Sequence, residues 1–211
     1  MSGFLQVFLH LDTTLGSAIA AYGGWIYAAL FLIVFCETGL VVTPFLPGDS
    51  LLFAAGAFAA AGQLDPWIVA GLMFAAAVLG DAVNYRIGRK AGAMILAKGS
   101  FLGLPVRAAH IAKTQRYYER YGVKTIVFAR FIPIVRTIAP FVAGVGEMNA
   151  ATFTAYNVIG GALWTALFVL GGYFFGNIPI IKHNFEIVIL AIVFVSVIPA
   201  AIEFIRERRR H

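Results

Sequence analysis

Four stretches of this chain are long and oily enough to cross a bilayer, and that limits its fold more than any other feature. A helix needs about 20 mainly apolar residues to span the hydrocarbon core. Residues 24–42 ("GWIYAALFLIVFCETGLVV"), 66–85 continuing towards 97, 150–176 and 186–205 meet that need. Composition agrees: 61% of the 211 residues are hydrophobic and 12% are charged, against roughly 45–50% and about 25% in soluble domains. The expectation is one integral-membrane domain, residues 1–211, without an appended soluble module. Residues 1–22 contain no Lys or Arg, so a cleavable signal peptide with its basic n-region is not expected.

Basic residues gather in two places. Residues 86–124 hold nine Lys/Arg against the single acid Glu119, and "RERRRH" (206–211) closes the chain. In so apolar a sequence this is membrane-flanking charge, which collects on the cytoplasmic side, rather than a nucleic-acid footprint. Residues 1–22 have apolar positions at helical spacing and several polar ones, the pattern of an interfacial amphipathic helix. Residues 107–121 ("RAAHIAKTQRYYERY") read as a basic interfacial or cytoplasmic helix. The lone cysteine, Cys36, excludes an intramolecular disulfide and reads as a small core residue.

Two further apolar pieces, 43–62 and 123–146, are interrupted by proline and charge. In "RFIPIVRTIAPFVAG" (130–144) two arginines share an oily segment with Pro133 and Pro140. Each central arginine costs about 2.5–3.5 kcal/mol to insert, and each Ile, Val or Phe returns about 0.3–0.6. Residues 123–142 contain eleven of the latter, so the sum is near zero before any proline penalty. Such a segment depends on neighbouring protein. Placing 86–124 and 206–211 in the cytoplasm satisfies the charge rule if both pieces enter and leave by one face, with both termini cytoplasmic; two additional full spans break the parity.

The expected fold is therefore all-α and polytopic: about four transmembrane helices and two oppositely oriented re-entrant hairpins. Its parts are the interfacial helix 1–22, a first helix plus hairpin at 24–62, a second helix and basic segment at 66–122, a second hairpin at 123–146, two last helices at 150–205 and the tail 206–211. The halves carry matching features. Glu37 to Pro47 and Arg130 to Pro140 are both ten residues, and each interrupted piece ends in "AG". Interrupted segments at corresponding places point to an inverted-repeat transporter with a midplane site.

The ionisable residues inside these segments are the candidate site. Glu37 and Asp49 are twelve residues apart, about 18 Å on a continuous helix, and the "PFLPGD" break at Pro47 and Gly48 lets the chain fold back between them. Carboxylates in a low-dielectric site can bind and release protons near neutral pH. The structural alternatives are salt bridges to Arg130 and Arg136, or an N-cap role for Asp49. Arg130 and Arg136 would lie about 240° apart on an unbroken helix, and Pro133 allows them to be re-aimed. Their guanidinium groups suit a phosphate headgroup, in competition with neutralisation by Glu37 and Asp49.

In "GDAVNYRIGRKAG" (80–92), Asp81, Asn84, Tyr85 and Arg86 fall near a cytoplasmic helix end, and Arg86, Arg89 and Lys90 read as interface anchors. Asp81 sits deeper, beside a Gly80 that permits close helix approach, and is a supporting candidate. Asn157 is another, able to hydrogen-bond into the core. Gly160, Gly161, Gly171 and Gly172 fit tight helix packing, Trp67 and Tyr173 are interfacial aromatics, and Glu147 is placed to cap the helix that follows. Pro133 and Pro140 are expected to turn the chain.

There is no P-loop, GxSxG, HExxH or Cys/His cluster, and His10, His110, His183 and His211 are scattered. An enzyme is not expected, nor a cofactor or metal site. Three long motifs, "FCETGLVVTPFLPGDSLLFAAGAFA", "GDAVNYRIGR" and "FARFIPIVRTIAPFVAGVGEM…YNVIGGALW…GYFFG", closely resemble the bacterial DedA family, which is related to the eukaryotic VTT-domain lipid scramblases. The resemblance covers roughly residues 22–205. It implies a multi-pass inner-membrane protein with paired re-entrant helices that draws on the proton motive force. It also implies a flippase role returning undecaprenyl phosphate across the membrane in support of envelope homeostasis. The family's essential acids match Glu37 and Asp49, and its essential arginines match Arg130 and Arg136. The implied partners are membrane lipids, undecaprenyl phosphate or another anionic phospholipid, and protons, with a homodimer left open and no nucleic acid. The rival readings are a small-ion or oxyanion/proton transporter and a non-transporting envelope scaffold.

Overall fold

The computed structural model describes residues 16, 17, 19, 21–39, 48–98, 100, 101, 104, 105, 124–183, 187, 188 and 191. Pro47, the interfacial reading of 1–22 apart from a few residues, the basic segment 107–121, nearly all of the last span 186–205, and the tail 206–211 lie outside them. Among the described residues the elements are helical: α1 (Trp25–Gly39), α2 (Gly48–Ala60), α3 (Pro66–Lys98), α4 (Lys124–Ala129), α5 (Pro133–Val145), α6 (Ala150–Thr165), α7 (Gly171–Phe175) and α8 (Pro179–His183). The one departure from all-α is a two-residue antiparallel ladder between β1 (Ser100–Phe101) and β2 (Leu104–Pro105). A π-helical turn, Ala166–Leu170, joins α6 to α7, so that helix runs from Ala150 to Phe175.

Local chemistry explains where these helices begin. Asp65 caps α3: its Oδ1 accepts the backbone N–H groups of Trp67 and Ile68, both at 2.9 Å, and Pro66 occupies the first position, where a missing N–H costs nothing. Asn149 does the same for α6, accepting from Ala151 and Thr152 at 3.0 and 3.1 Å. The expected cap, Glu147, instead takes a left-handed turn conformation (φ 55°), where Met148 N–H reaches back to the Ala143 carbonyl at 3.0 Å and closes the end of α5.

Two helices, Pro66–Gly92 and Ala150–Phe175, are long and apolar enough to cross a membrane. They carry bare apolar side chains outwards: Trp67 (84% exposed), Leu79, Ile159, Leu163, Leu167 and Phe174. α2 and α5 are shorter, 13 residues each, or about 20 Å against a hydrocarbon core of about 30 Å.

The chain divides into two compact units. The first gathers residues 1–34, 45–76 and 163–211; the second gathers 35–44 and 77–162. In the first unit, α2 packs on the π turn and α7 backbone to backbone. A Cβ on Gly56 would strike the Val169 carbonyl, and one on Gly172 would strike the Phe53 carbonyl. Asn177 Nδ2 donates to the Ala57 carbonyl at 3.0 Å. In the second unit, Gly88 and Gly144 play the same part: a Cβ on either would strike the Phe141 or the Tyr85 carbonyl. Of the glycines in 155–176, Gly172 and Gly176 serve the expected tight packing, while a Cβ on Gly171 would meet Phe53 only at ordinary contact distance.

Candidate functional site

Segment 123–146 is broken into α4 and α5, and the break falls at Arg130–Ile132. The backbone there makes tight turns, with Phe131 N–H on the Phe128 carbonyl at 3.2 Å and Ile132 N–H on the Ala129 carbonyl at 3.0 Å. This re-aims the two arginines: Arg130 sits in the turn and Arg136 in the first turns of α5. Of the two prolines expected to turn the chain, only Pro133 stands at a turn. Pro133 opens α5, while Pro140 lies inside it and the helix continues to Val145. Pro140 removes the N–H that would bond the Arg136 carbonyl, but the residues around it still pack as helix.

Both arginines are buried, Arg130 at 4% and Arg136 at 6% exposure. Arg130 is ion-paired with Asp81 of α3 through one guanidinium nitrogen. The same nitrogen donates to Asn157 Oδ1 of α6 at 2.5 Å. Asn157 is itself anchored, its Nδ2 donating to the Val78 carbonyl of α3 at 3.0 Å. Arg136 is ion-paired with Glu37 of α1, which is wholly buried. Arg136 also lies within electrostatic range of Asp81 and Arg130, so the two pairs form one buried set in the second unit.

Asn84 ties the backbones beside that set. Its Nδ2 donates to the Thr38 carbonyl at 3.2 Å and to the Thr137 carbonyl at 2.7 Å. Those residues follow Glu37 and Arg136 in the chain, so one buried amide fixes the register of the Glu37–Arg136 pair. Asn84 Oδ1 is buried and accepts no hydrogen bond among the described residues. Gly39 and Gly80 meet nearby: a Cβ on Gly80 would strike the Thr38 hydroxyl, and one on Gly39 would stand 3.3 Å from the Gly80 backbone. Gly160 of α6 packs against the same region: a Cβ there would stand 3.3 Å from the Val127 Cα and 3.6 Å from the Arg130 Nε.

Tyr85, one turn after Asp81 on α3, belongs to the apolar core with Ile126, Ala143 and Phe153. Its ring stacks on Phe153 with centroids 4.3 Å apart, and its hydroxyl donates to the Met148 carbonyl. Arg86, Arg89 and Lys90 are exposed, as membrane-surface anchors would be.

Asp49 belongs to the first unit, in the first turn of α2. Its Oδ1 accepts the indole Nε1–H of Trp164 at 2.9 Å, and Trp164 is almost completely buried. Gly48 opens α2. Of the residues singled out in sequence, the structure brings Glu37, Asp81, Arg130, Arg136 and Asn157 into one unit. Sequence reading missed Trp164, which looks like one more apolar position on a spanning helix. It also placed Asn84 near a cytoplasmic helix end, whereas its side chain is completely buried. The three-residue step from Asp81, which puts both on one helix face, and the glycines at positions 80 and 88 are the signals that could have found its role. No group of three or more metal-ligating side chains occurs among the described residues.

The VTT domain profile matches residues 46–174. Protein DedA of Escherichia coli K12 is 51% identical over 207 residues, covering 97% of this chain and 94% of that protein. An uncharacterized membrane protein of Mycobacterium tuberculosis H37Rv is 38% identical over 194 residues, 91% and 84% of the two chains. Inner membrane protein YghB of Escherichia coli K12 is 33% identical over 177 residues, 84% and 78%. No solved structure matches the chain.

Proposed function

The chain belongs to the DedA family of VTT-domain membrane proteins, a family of transporter type, and from that premise we propose that it moves a phosphorylated lipid carrier across the inner membrane. The substrate is a polyprenyl monophosphate, undecaprenyl phosphate, returned for reuse in envelope synthesis at the expense of the proton motive force. Arg130 and Arg136 bind the headgroup, and Glu37 and Asp49 couple its passage to protons. Segments 43–62 and 123–146 serve as the oppositely oriented re-entrant hairpins, which suits helices too short to span. Both termini face the cytoplasm. The lipid tails remain in the bilayer while the polar head crosses.

The observation that carries this reading is the pair of buried arginines, each already holding a carboxylate from another helix. A buried guanidinium that binds one oxyanion has the geometry to bind another, because carboxylate and phosphate present similar oxygen pairs. Burial in an apolar surround makes the charges costly to keep unless they are used or fully paired. The test is translocation of labelled undecaprenyl phosphate in proteoliposomes of the purified protein. Wild type is expected to flip the lipid faster with an imposed proton gradient, and Arg136→Ala to lose that activity. Undiminished flipping by Arg136→Ala would remove this residue from the site.

The ion pairing of each arginine with a buried carboxylate also favours a second reading, a non-transporting envelope scaffold in which the charges only hold helices together. Replacing both members of a pair with apolar residues of similar size then preserves function. A small oxyanion/proton transporter would use the same arginines and show flux in vesicles without any polyprenyl phosphate.

A further inference from the structure

The buried charges of the second unit balance. Among the described residues they are Glu37 and Asp81, two negative, and Arg130 and Arg136, two positive. A phosphate monoester entering this set adds about one to two negative charges. An uncompensated charge in an apolar interior is strongly unfavourable, and a displaced carboxylate escapes that cost by taking a proton.

Arg130 has a neutral acceptor beside its anionic one: Asn157 Oδ1 takes the same nitrogen as Asp81. Asn157 reaches α3 independently of Asp81, through the Val78 carbonyl one turn earlier on that helix. The α3–α6 link and the aim of the guanidinium therefore survive when the Asp81 carboxylate lets go. Among the described residues the charged groups around Asp81 are Arg130 from the α4–α5 turn and Arg136 from α5, with Asn157 of α6 on the Arg130 guanidinium and Glu37 of α1 engaged by Arg136. Tyr85, one turn on along α3, is committed to the Met148 carbonyl.

We propose that Asp81 is the exchangeable partner of Arg130: the incoming phosphate takes its place on the guanidinium, and the released carboxylate picks up one proton and stays buried as the neutral acid. This rests on the lipid-phosphate reading above and adds to it. The step makes no covalent bond to substrate. One carboxylate oxygen gains an O–H from a solvent proton, the Arg130–carboxylate hydrogen bond is lost, and an Arg130–phosphate hydrogen bond replaces it. On release of the phosphate, the proton leaves and the ion pair re-forms. Asp81 thus adds a proton carrier to those supplied by Glu37 and Asp49, and Asn157 is the positioning residue that keeps Arg130 aimed throughout.

The experiment is calorimetric titration of the full-length protein in lipid nanodiscs with farnesyl phosphate, repeated in two buffers of different ionisation enthalpy to count protons taken up per phosphate bound. Wild type is expected to take up about one proton more per phosphate than Asp81→Asn, a side chain of the same shape that cannot titrate. Asp81→Glu, which can titrate, is expected to keep the wild-type count. Equal uptake in wild type and Asp81→Asn overturns the exchange while leaving the lipid-phosphate reading intact. With the titration run at about pH 8, where the free phosphate monoester is already dianionic and has no proton to release, zero proton uptake by wild type overturns the exchange without recourse to any variant, which covers the case in which Asp81→Asn does not fold. No binding of farnesyl phosphate by wild type overturns the underlying reading itself.

Discussion

In the first unit the carboxylate of Asp49 accepts a neutral donor, the Trp164 indole, whereas in the second unit Glu37 and Asp81 each meet a guanidinium. Both units solve the packing problem alike, with glycines that let one helix press on the backbone of another. The scaffolding is therefore common, and both Arg–carboxylate pairs found among the described residues lie in the second unit. A guanidinium neutralises a carboxylate and is itself neutralised, so either partner leaves readily only when a charge of matching sign replaces it. On the proposed function, an incoming anion is exchanged at those pairs.

Substitutions can break this comparison, and the largest effects belong to the ion pairs. Arg136→Ala strands the buried Glu37, and Arg130→Ala the buried Asp81; each is expected to cost about 3–5 kcal/mol, read as a fall in thermal unfolding temperature in detergent. If either costs no more than a surface substitution, the pairs are not what they are described to be. Next come the glycines: Gly88→Ala in the second unit and Gly172→Ala in the first should each cost about 1–3 kcal/mol by overpacking. Similar values in the two units would support a shared scaffold, and a harmless substitution in one alone would refute it.

Trp164→Phe removes the N–H that Asp49 accepts, worth about 1.5–3 kcal/mol, and part of the buried indole, so a packing loss adds to it. Unlike Arg136→Ala, it should leave headgroup affinity for farnesyl phosphate within about twofold, since neither Arg–carboxylate pair is touched. The smallest effects belong to the caps, Asp65→Ala in the first unit and Asn149→Ala in the second, about 1 kcal/mol each. A cap worth much more than that would mean that its helix start carries some further duty.

Several of these features are legible in the chain. Insertion cost and proline mark 123–146 as a broken segment, and it folds as two short helices around Arg130–Ile132. Gly80 signals the close helix approach that is found against Thr38 and Gly39. Partner choice is not legible, because Arg136 and Glu37 are 99 residues apart and Arg130 and Asp81 are 49 apart. Charge alone cannot say which acid meets which arginine, and Asp81, a supporting candidate in sequence, proves to be the direct partner of Arg130. Pro140 misleads because a breaker rule describes an isolated helix, while packing around α5 carries the helix past it. Glu147 misleads because its capping chemistry competes with Asn149, two residues on, whose shorter side chain reaches the N–H groups of α6.

The account's central claim is that the arginines hold phosphate and do more than balance buried carboxylates. Exchanging the members of one pair, Glu37→Arg with Arg136→Glu, separates the two roles. The swapped protein is expected to fold, because the ion pair is rebuilt, and to flip labelled undecaprenyl phosphate in proteoliposomes no faster than protein-free vesicles. Flipping at the wild-type rate by the swapped protein would contradict the claim and leave the pair a structural clasp.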